Sequence, residues 1–118
     1  MKIVINRDYG GFGLSNEAFE KLLERKGIAF EKIQSDKYDI VHYYAQGHAN
    51  EEEHYLSPYE FYGNRADADL IAVVEEMGEK AQGQFASLRI VEIPDNVKWQ
   101  VEEYDGMEHI AEKHRTWF

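Results

Sequence analysis

The tightest constraint lies near the start of the chain. A short apolar stretch, Lys2–Asn6, runs into Gly10-Gly11-Phe12-Gly13 and then into a capped amphipathic segment. Ile3, Val4 and Ile5 predict a strand covered on at least one face. The glycines predict a tight strand-to-helix turn, because glycine adopts positive φ without a Cβ penalty. Such a turn has two readings. Phe12 can tuck into the core and make a purely structural corner. Alternatively, bare backbone N–H groups and the positive end of the helix dipole converge at Gly10, Gly11, Phe12, Gly13 and Ser15 and cradle an anion, with Arg7 just ahead adding charge. The run is not a P-loop, lacking the Gly-Lys-Ser/Thr ending, and its spacing differs from the dinucleotide fingerprint.

A helix is expected from about Asn16 to Lys26, capped by Ser15 or Asn16 and ended by Gly27, with Ala18, Leu22 and neighbours as its apolar side. Ile28–Ile33 reads as a short strand and Tyr38–Tyr44 as a better one. Ala45–Ala66 reads as irregular, punctuated by Gly47, Pro58 and Gly63. Asp67 caps a second helix carrying Leu70, Val73, Val74, Met77 and Ala81, with Gly83 closing it or Gly78 closing it a turn earlier. Leu88–Ile93 is a strand stopped by Pro94. Asp105-Gly106 is the strongest turn signal, predicting a hairpin of Val97–Tyr104 with Met107–His114 in which Val101 faces Ile110 and Glu102 faces His109. The expectation is a single α+β domain over residues 1–118: a mixed or antiparallel sheet of about four to five strands, two helices on one face, and a C-terminal β-hairpin. A chain of 118 residues, 43% apolar, is long enough to bury a real core.

Composition removes several function classes. There is no cysteine, so disulfides, thiolate metal sites and cysteine nucleophiles are excluded. No stretch is apolar for long enough to span a bilayer and no signal-peptide pattern follows Met1, which makes the cytoplasm the expected compartment. The net charge is −10, with seven basic and seven acidic residues in 1–50 but six basic and sixteen acidic in 51–118. That field repels phosphate backbones, so duplex nucleic acid is not an expected partner. An acidic face suits a basic protein partner or simply keeps the chain soluble.

Four further groups carry candidate chemistry. Tyr43, Tyr44, His48, His54, Tyr55, Tyr59, Phe61 and Tyr62 crowd one irregular segment. Rings there can glue the loop to the fold or, like Tyr59 and Tyr62 here, stack on a nucleobase, with Arg65 beside them as a phosphate or carboxylate clamp. His48, Glu51 and His54 recur at intervals of three, a spacing able to bind a metal, but the acidic run they sit in is the plainer reading and no metal cofactor is expected. His109 and His114 near Glu102, Glu108 and Glu112 form ordinary cross-strand pairs or an acid–base pair. Arg115 and Trp117, in an unusually aromatic tail, either dock on the fold or contact a ligand or a second copy of the chain.

Met1-Lys2-Ile3-Val4-Ile5-Asn6 and Tyr9-Gly10-Gly11-Phe12-Gly13-Leu14-Ser15 resemble the start of a family of small uncharacterised proteins of tailed bacteriophages and prophages. The resemblance continues through Asp69–Ala81, Ile90-Val91-Glu92-Ile93-Pro94, Glu103-Tyr104-Asp105-Gly106 and Glu112-Lys113-His114-Arg115-Thr116-Trp117. It implies an accessory protein made in an infected bacterial cytoplasm and carries no activity with it. The expected function is therefore a non-enzymatic protein that sequesters a small anionic, nucleotide-like ligand to counter host defence. The alternatives are an acidic inhibitor of a host enzyme and a small nucleotide-processing hydrolase. A homodimer is the expected assembly if the aromatic tail is left uncovered.

Overall fold

The computed structural model describes residues 1–35 and 40–113. The α+β class expected from sequence is what it shows. In chain order the elements are β1 (Lys2–Asn6), α1 (Asn16–Arg25), β2 (Phe30–Gln34), β3 (Val41–Ala45), two short 3-10 turns (Glu52–His54 and Pro58–Phe61), α2 (Ala68–Met77), a further 3-10 turn (Gly78–Ala81), β4 (Leu88–Glu92), β5 (Trp99–Tyr104) and β6 (Met107–Glu112). Positions 36–39, where the second predicted strand was to begin, lie outside the described residues, as do positions 114–118.

Both helices begin and end where their local chemistry dictates. The Ser15 hydroxyl accepts from Ala18 N–H at 3.2 Å and caps α1. At its far end Gly27 takes φ +73°, Ile28 N–H donates to Leu23 C=O, and Gly27 N–H donates to Glu24 C=O. These bonds satisfy the last carbonyls of the helix, and Ile28 packs in the same cluster as Leu23. Asp67 caps α2 through Leu70 N–H at 3.1 Å. Gly78, not Gly83, closes α2, at φ +58°. The last turn of α1 lies against the first turn of α2, where Lys26 reaches Asp67 at 2.9 Å and Asp69 at 3.3 Å. These carboxylates raise the Lys26 pKa, the Asp67 hydrogen bond being the largest cause. The two helices therefore run antiparallel.

The strands pair two by two, all antiparallel: β1 with β4, β2 with β3, β5 with β6. Among the described residues six strands thus form three ribbons, against an expected sheet of about four to five, and β1 shows why. On its free edge Val4 N–H donates to Arg65 C=O at 2.9 Å, and Asn6 N–H donates to the Glu108 carboxylate at 2.9 Å. Those outward donors have partners that are not a strand, so the sheet stops there. The final hairpin keeps the expected register, Val101 opposite Ile110 and Glu102 opposite His109. The described molecule is elongated, 52 × 32 × 25 Å.

Two apolar clusters hold the elements together. The larger joins Val4 of β1, Ala18 and Leu22 of α1, and Leu70, Ile71, Val73 and Val74 of α2, with Ala81. The smaller joins Phe19 and Leu23 to Tyr43 of β3. Phe61 packs against both, so the aromatic segment is partly the glue it was expected to be. Among the described residues no helix is long and apolar enough to cross a membrane.

Tyr43 is buried and its hydroxyl donates to Glu20 at 2.9 Å. Burial, then the Glu20 bond and charge, push its pKa far above the usual tyrosine value. The folded state therefore keeps this proton longer than the unfolded chain does. Its contribution to stability is full below about pH 10 and is lost as pH rises above that value. Urea midpoints measured from about pH 9 to 11 are expected to fall more steeply for the wild type than for Tyr43→Phe.

Candidate functional site

Three segments distant in sequence meet to form a cleft of about 260 Å³. Gly10–Leu14 gives one wall, Pro58, Tyr59 and Tyr62 a second, and Gly83–Ala86 a third. The glycine turn and the aromatic segment therefore do meet. Among the described residues no charged side chain lines the cleft.

The glycines are there because chain segments touch. A Cβ on Gly10 would run into Phe85, and one on Gly83 would lie about 3.0 Å from the Gly13 backbone. Gly13 C=O accepts from Gly83 N–H at 2.9 Å, and Leu14 bridges Gln82. Phe12 turns inward against the larger cluster, as the structural reading of the turn requires. Yet the backbone N–H groups of Phe12, Gly13, Gln84 and Phe85 donate to no acceptor among the described residues. Close packing of backbone and donors without an acceptor among the described residues coexist in the same corner.

The aromatic wall is half fixed and half free. Tyr62 stacks edge-on with Phe12 at 4.9 Å, and its hydroxyl accepts from Leu14 N–H at 3.1 Å. Burial raises its pKa. Tyr59 packs edge-on against Tyr62 at 5.9 Å and is 80% exposed, while Phe85 opposite is 65% exposed. The rim thus presents rings to solvent from two sides of a neutral pocket.

Arg65, expected as the anion clamp, is committed elsewhere. Its guanidinium grips both oxygens of Glu108, at 2.5 and 2.9 Å, donates to Tyr62 C=O at 2.9 Å, and stacks 3.7 Å from the centre of the Phe12 ring. Glu108, which the sequence set beside His109 and His114 as a cross-strand contact or an acid–base partner, is only 4% exposed. Its carboxylate also takes Asn6 N–H. One buried pair, in a fork geometry suited to bidentate bonds, therefore supports the cleft from behind.

The remaining predicted residues scatter. Arg7 donates to Glu108 C=O at 2.8 Å and does not line the cleft. The Ser15 hydroxyl is used up between Ala18 N–H and Lys80 C=O. Arg115, Trp117 and His114 lie outside the described residues. His109 sits 3.7 Å from Glu102 with both side chains well exposed, a solvated cross-strand pair. Three contributors escaped sequence reasoning: Glu108, Phe85 and Asn6. Glu108 alternates with Ile110 on one face of its strand, a period-two signal that points it inward. Asn6, fully buried, donates to Asp8 C=O and Gly106 C=O and accepts from Ser87 N–H. It ties the hairpin tip beneath the glycine turn, where a Cβ on Gly106 would meet the Tyr9 and Gly11 backbone.

No family model, curated protein or solved structure matches this chain.

Removing either member of a buried ion pair leaves an uncompensated charge, at a cost of about 3–5 kcal/mol. Glu108→Ala and Arg65→Ala are each expected to lose stability in that range. The double variant should lose clearly less than the sum of the two, as read by urea denaturation in a double-mutant cycle.

Proposed function

We propose that this protein is a non-enzymatic binding protein that takes a small, flat, nucleotide-like ligand into the aromatic cleft, ring first. The observation that carries this reading is that exposed rings, Tyr59 and Phe85, line the cleft together with Phe12, Gly13 and Gln84, residues whose backbone N–H groups donate to no acceptor among the described residues. Rings of this kind stack on any planar heterocycle, and backbone donors read its acceptor atoms. With Arg65 bound to Glu108, charge recognition gives way to stacking and hydrogen bonding, so the favoured ligand carries few negative charges. In a phage-type accessory protein of the infected cytoplasm, such a cleft would sequester a nucleotide-like host signal rather than convert it.

A second reading rests on the final hairpin. Tyr104 near its tip is 75% exposed and Glu102, Glu103 and Glu112 stand exposed along it, an arrangement that suits docking on a basic host protein. Charge-driven docking of this kind weakens as salt rises.

The ligand reading is tested by native mass spectrometry of the purified protein, followed by titration with nucleoside monophosphates and cyclic nucleotides. Tyr59→Ala and Phe85→Ala are each expected to weaken binding by about 1–3 kcal/mol, the worth of a base stacked on a ring. Because both side chains are exposed, melting temperature should hardly move. Binding that survives both substitutions would place the ligand elsewhere.

A further inference from the structure

His48, Glu51 and His54 sit away from the cleft, on the loop that leads from β3 toward Tyr59. Their spacing of three matches the local backbone. His48 N–H donates to Ala45 C=O, Glu51 N–H to His48 C=O and His54 N–H to Glu51 C=O, at 3.0, 3.1 and 2.9 Å. Only the last of these turns, through Glu52–His54, is a 3-10 turn, in which side chains at i and i+3 eclipse one another, and it brings Glu51 and His54 together. The two turns before it are tight turns of another kind, with positive φ at Gly47 (+84°) and Asn50 (+62°), and they carry His48 back beside Glu51. The three side chains consequently stand on one side of the loop.

There the candidate ligand atoms all lie within 4.8 Å of one another. His48 Nδ1 is 2.6 Å from Glu51 Oε2, and His54 Nε2 is 3.8 Å from the same oxygen. Tetrahedral bonds of about 2.0–2.1 Å place donor atoms about 3.3 Å apart, a value the two distances bracket. The two imidazoles are stacked at 3.8 Å and 22°. A shared ion needs both lone pairs turned toward it, so the rings must swing out of the stack. Side-chain exposures of 43% and 40% leave room for that movement.

We infer that His48, Glu51 and His54 form a binding site for a divalent transition-metal ion that pins this loop. Two imidazole nitrogens and one carboxylate oxygen suit zinc and its neighbours, whereas calcium and magnesium call for a shell of oxygens. Glu52 and Glu53 beside the site add negative potential that draws a cation in. Three protein ligands leave a fourth position for water. The pinned loop is well placed to matter. Directly after His54, Tyr55 bridges Tyr44 and Leu56 N–H donates to Tyr43 C=O at 2.8 Å, and the chain then enters the turn that carries Tyr59. The ion would fasten the free part of the loop to a part already fixed on β3.

The experiment is isothermal titration of tag-free protein with zinc chloride, paired with melting temperature at each metal ratio. One zinc per chain and a rise in melting temperature are expected. His48→Ala and His54→Ala should each weaken zinc by at least the roughly 10–100-fold that loss of an outer-sphere partner costs, and Glu51→Gln should weaken it as well. His109→Ala, on the distant hairpin, should leave the titration unchanged. All four side chains are substantially exposed, and circular dichroism confirms that each variant folds. Absence of saturable one-to-one uptake, or uptake unchanged in both His48→Ala and His54→Ala, would overturn the site.

Discussion

The Arg65–Glu108 pair is the interaction on which the rest of the structure depends. Glu108 comes from β6, accepts from β1 and is clamped by a side chain from the loop before α2. Arg65 also presses on Phe12 of the glycine turn and, through its backbone, closes the edge of β1. A charged pair is not the cheapest way to fill an interior, and apolar residues of the same size often serve stability as well or better. What the pair adds is direction. The carboxylate has a donor from each side, so the hairpin can seat in one register only. The two-stranded final ribbon, which pairs with no other strand among the described residues, is oriented by this contact and by the Asn6 amide.

Much of the fold was legible because it is local. Ser15 and Asp67 cap helices through their own next turn, Gly27 closes α1 within three residues of Glu24, and Asp105-Gly106 sets a hairpin register without help from the rest of the chain. What was illegible involves partners far apart. Nothing near Val4 says that its N–H meets the carbonyl of Arg65, and nothing near Arg65 names Glu108, 43 residues away. A guanidinium beside an aromatic cluster suits an anion, and Arg65 does clamp a carboxylate, one that belongs to the protein itself. The glycine turn has Phe12 packed against the larger cluster, as a purely structural corner requires.

The aromatic segment divides along the same lines. Tyr43 and Phe61 are spent on the core, Tyr62 joins core to cleft through its hydroxyl, and Tyr59 is left to solvent. Composition marks the whole run as aromatic and cannot say which rings are spent. The three-residue spacing of His48, Glu51 and His54 was visible from the start. Two tight turns with positive φ at Gly47 and Asn50, and the short 3-10 turn after them, turn that spacing into a cluster.

The distance along the chain between β1 and β6 has a consequence for how the protein is made. Asn6 and Gly106 are 100 residues apart, yet the buried amide of one holds the carbonyl of the other. A ribosome delivers β1, both helices and Arg65 well before it delivers Glu108. During that interval the guanidinium has no carboxylate, the edge donor of Asn6 has no acceptor, and the cleft has no support behind it. Contacts this remote in sequence slow folding, because the intervening loop must close before they repay its entropy. The nascent chain can build its helices early, but its cleft gains its support only when the last hairpin docks.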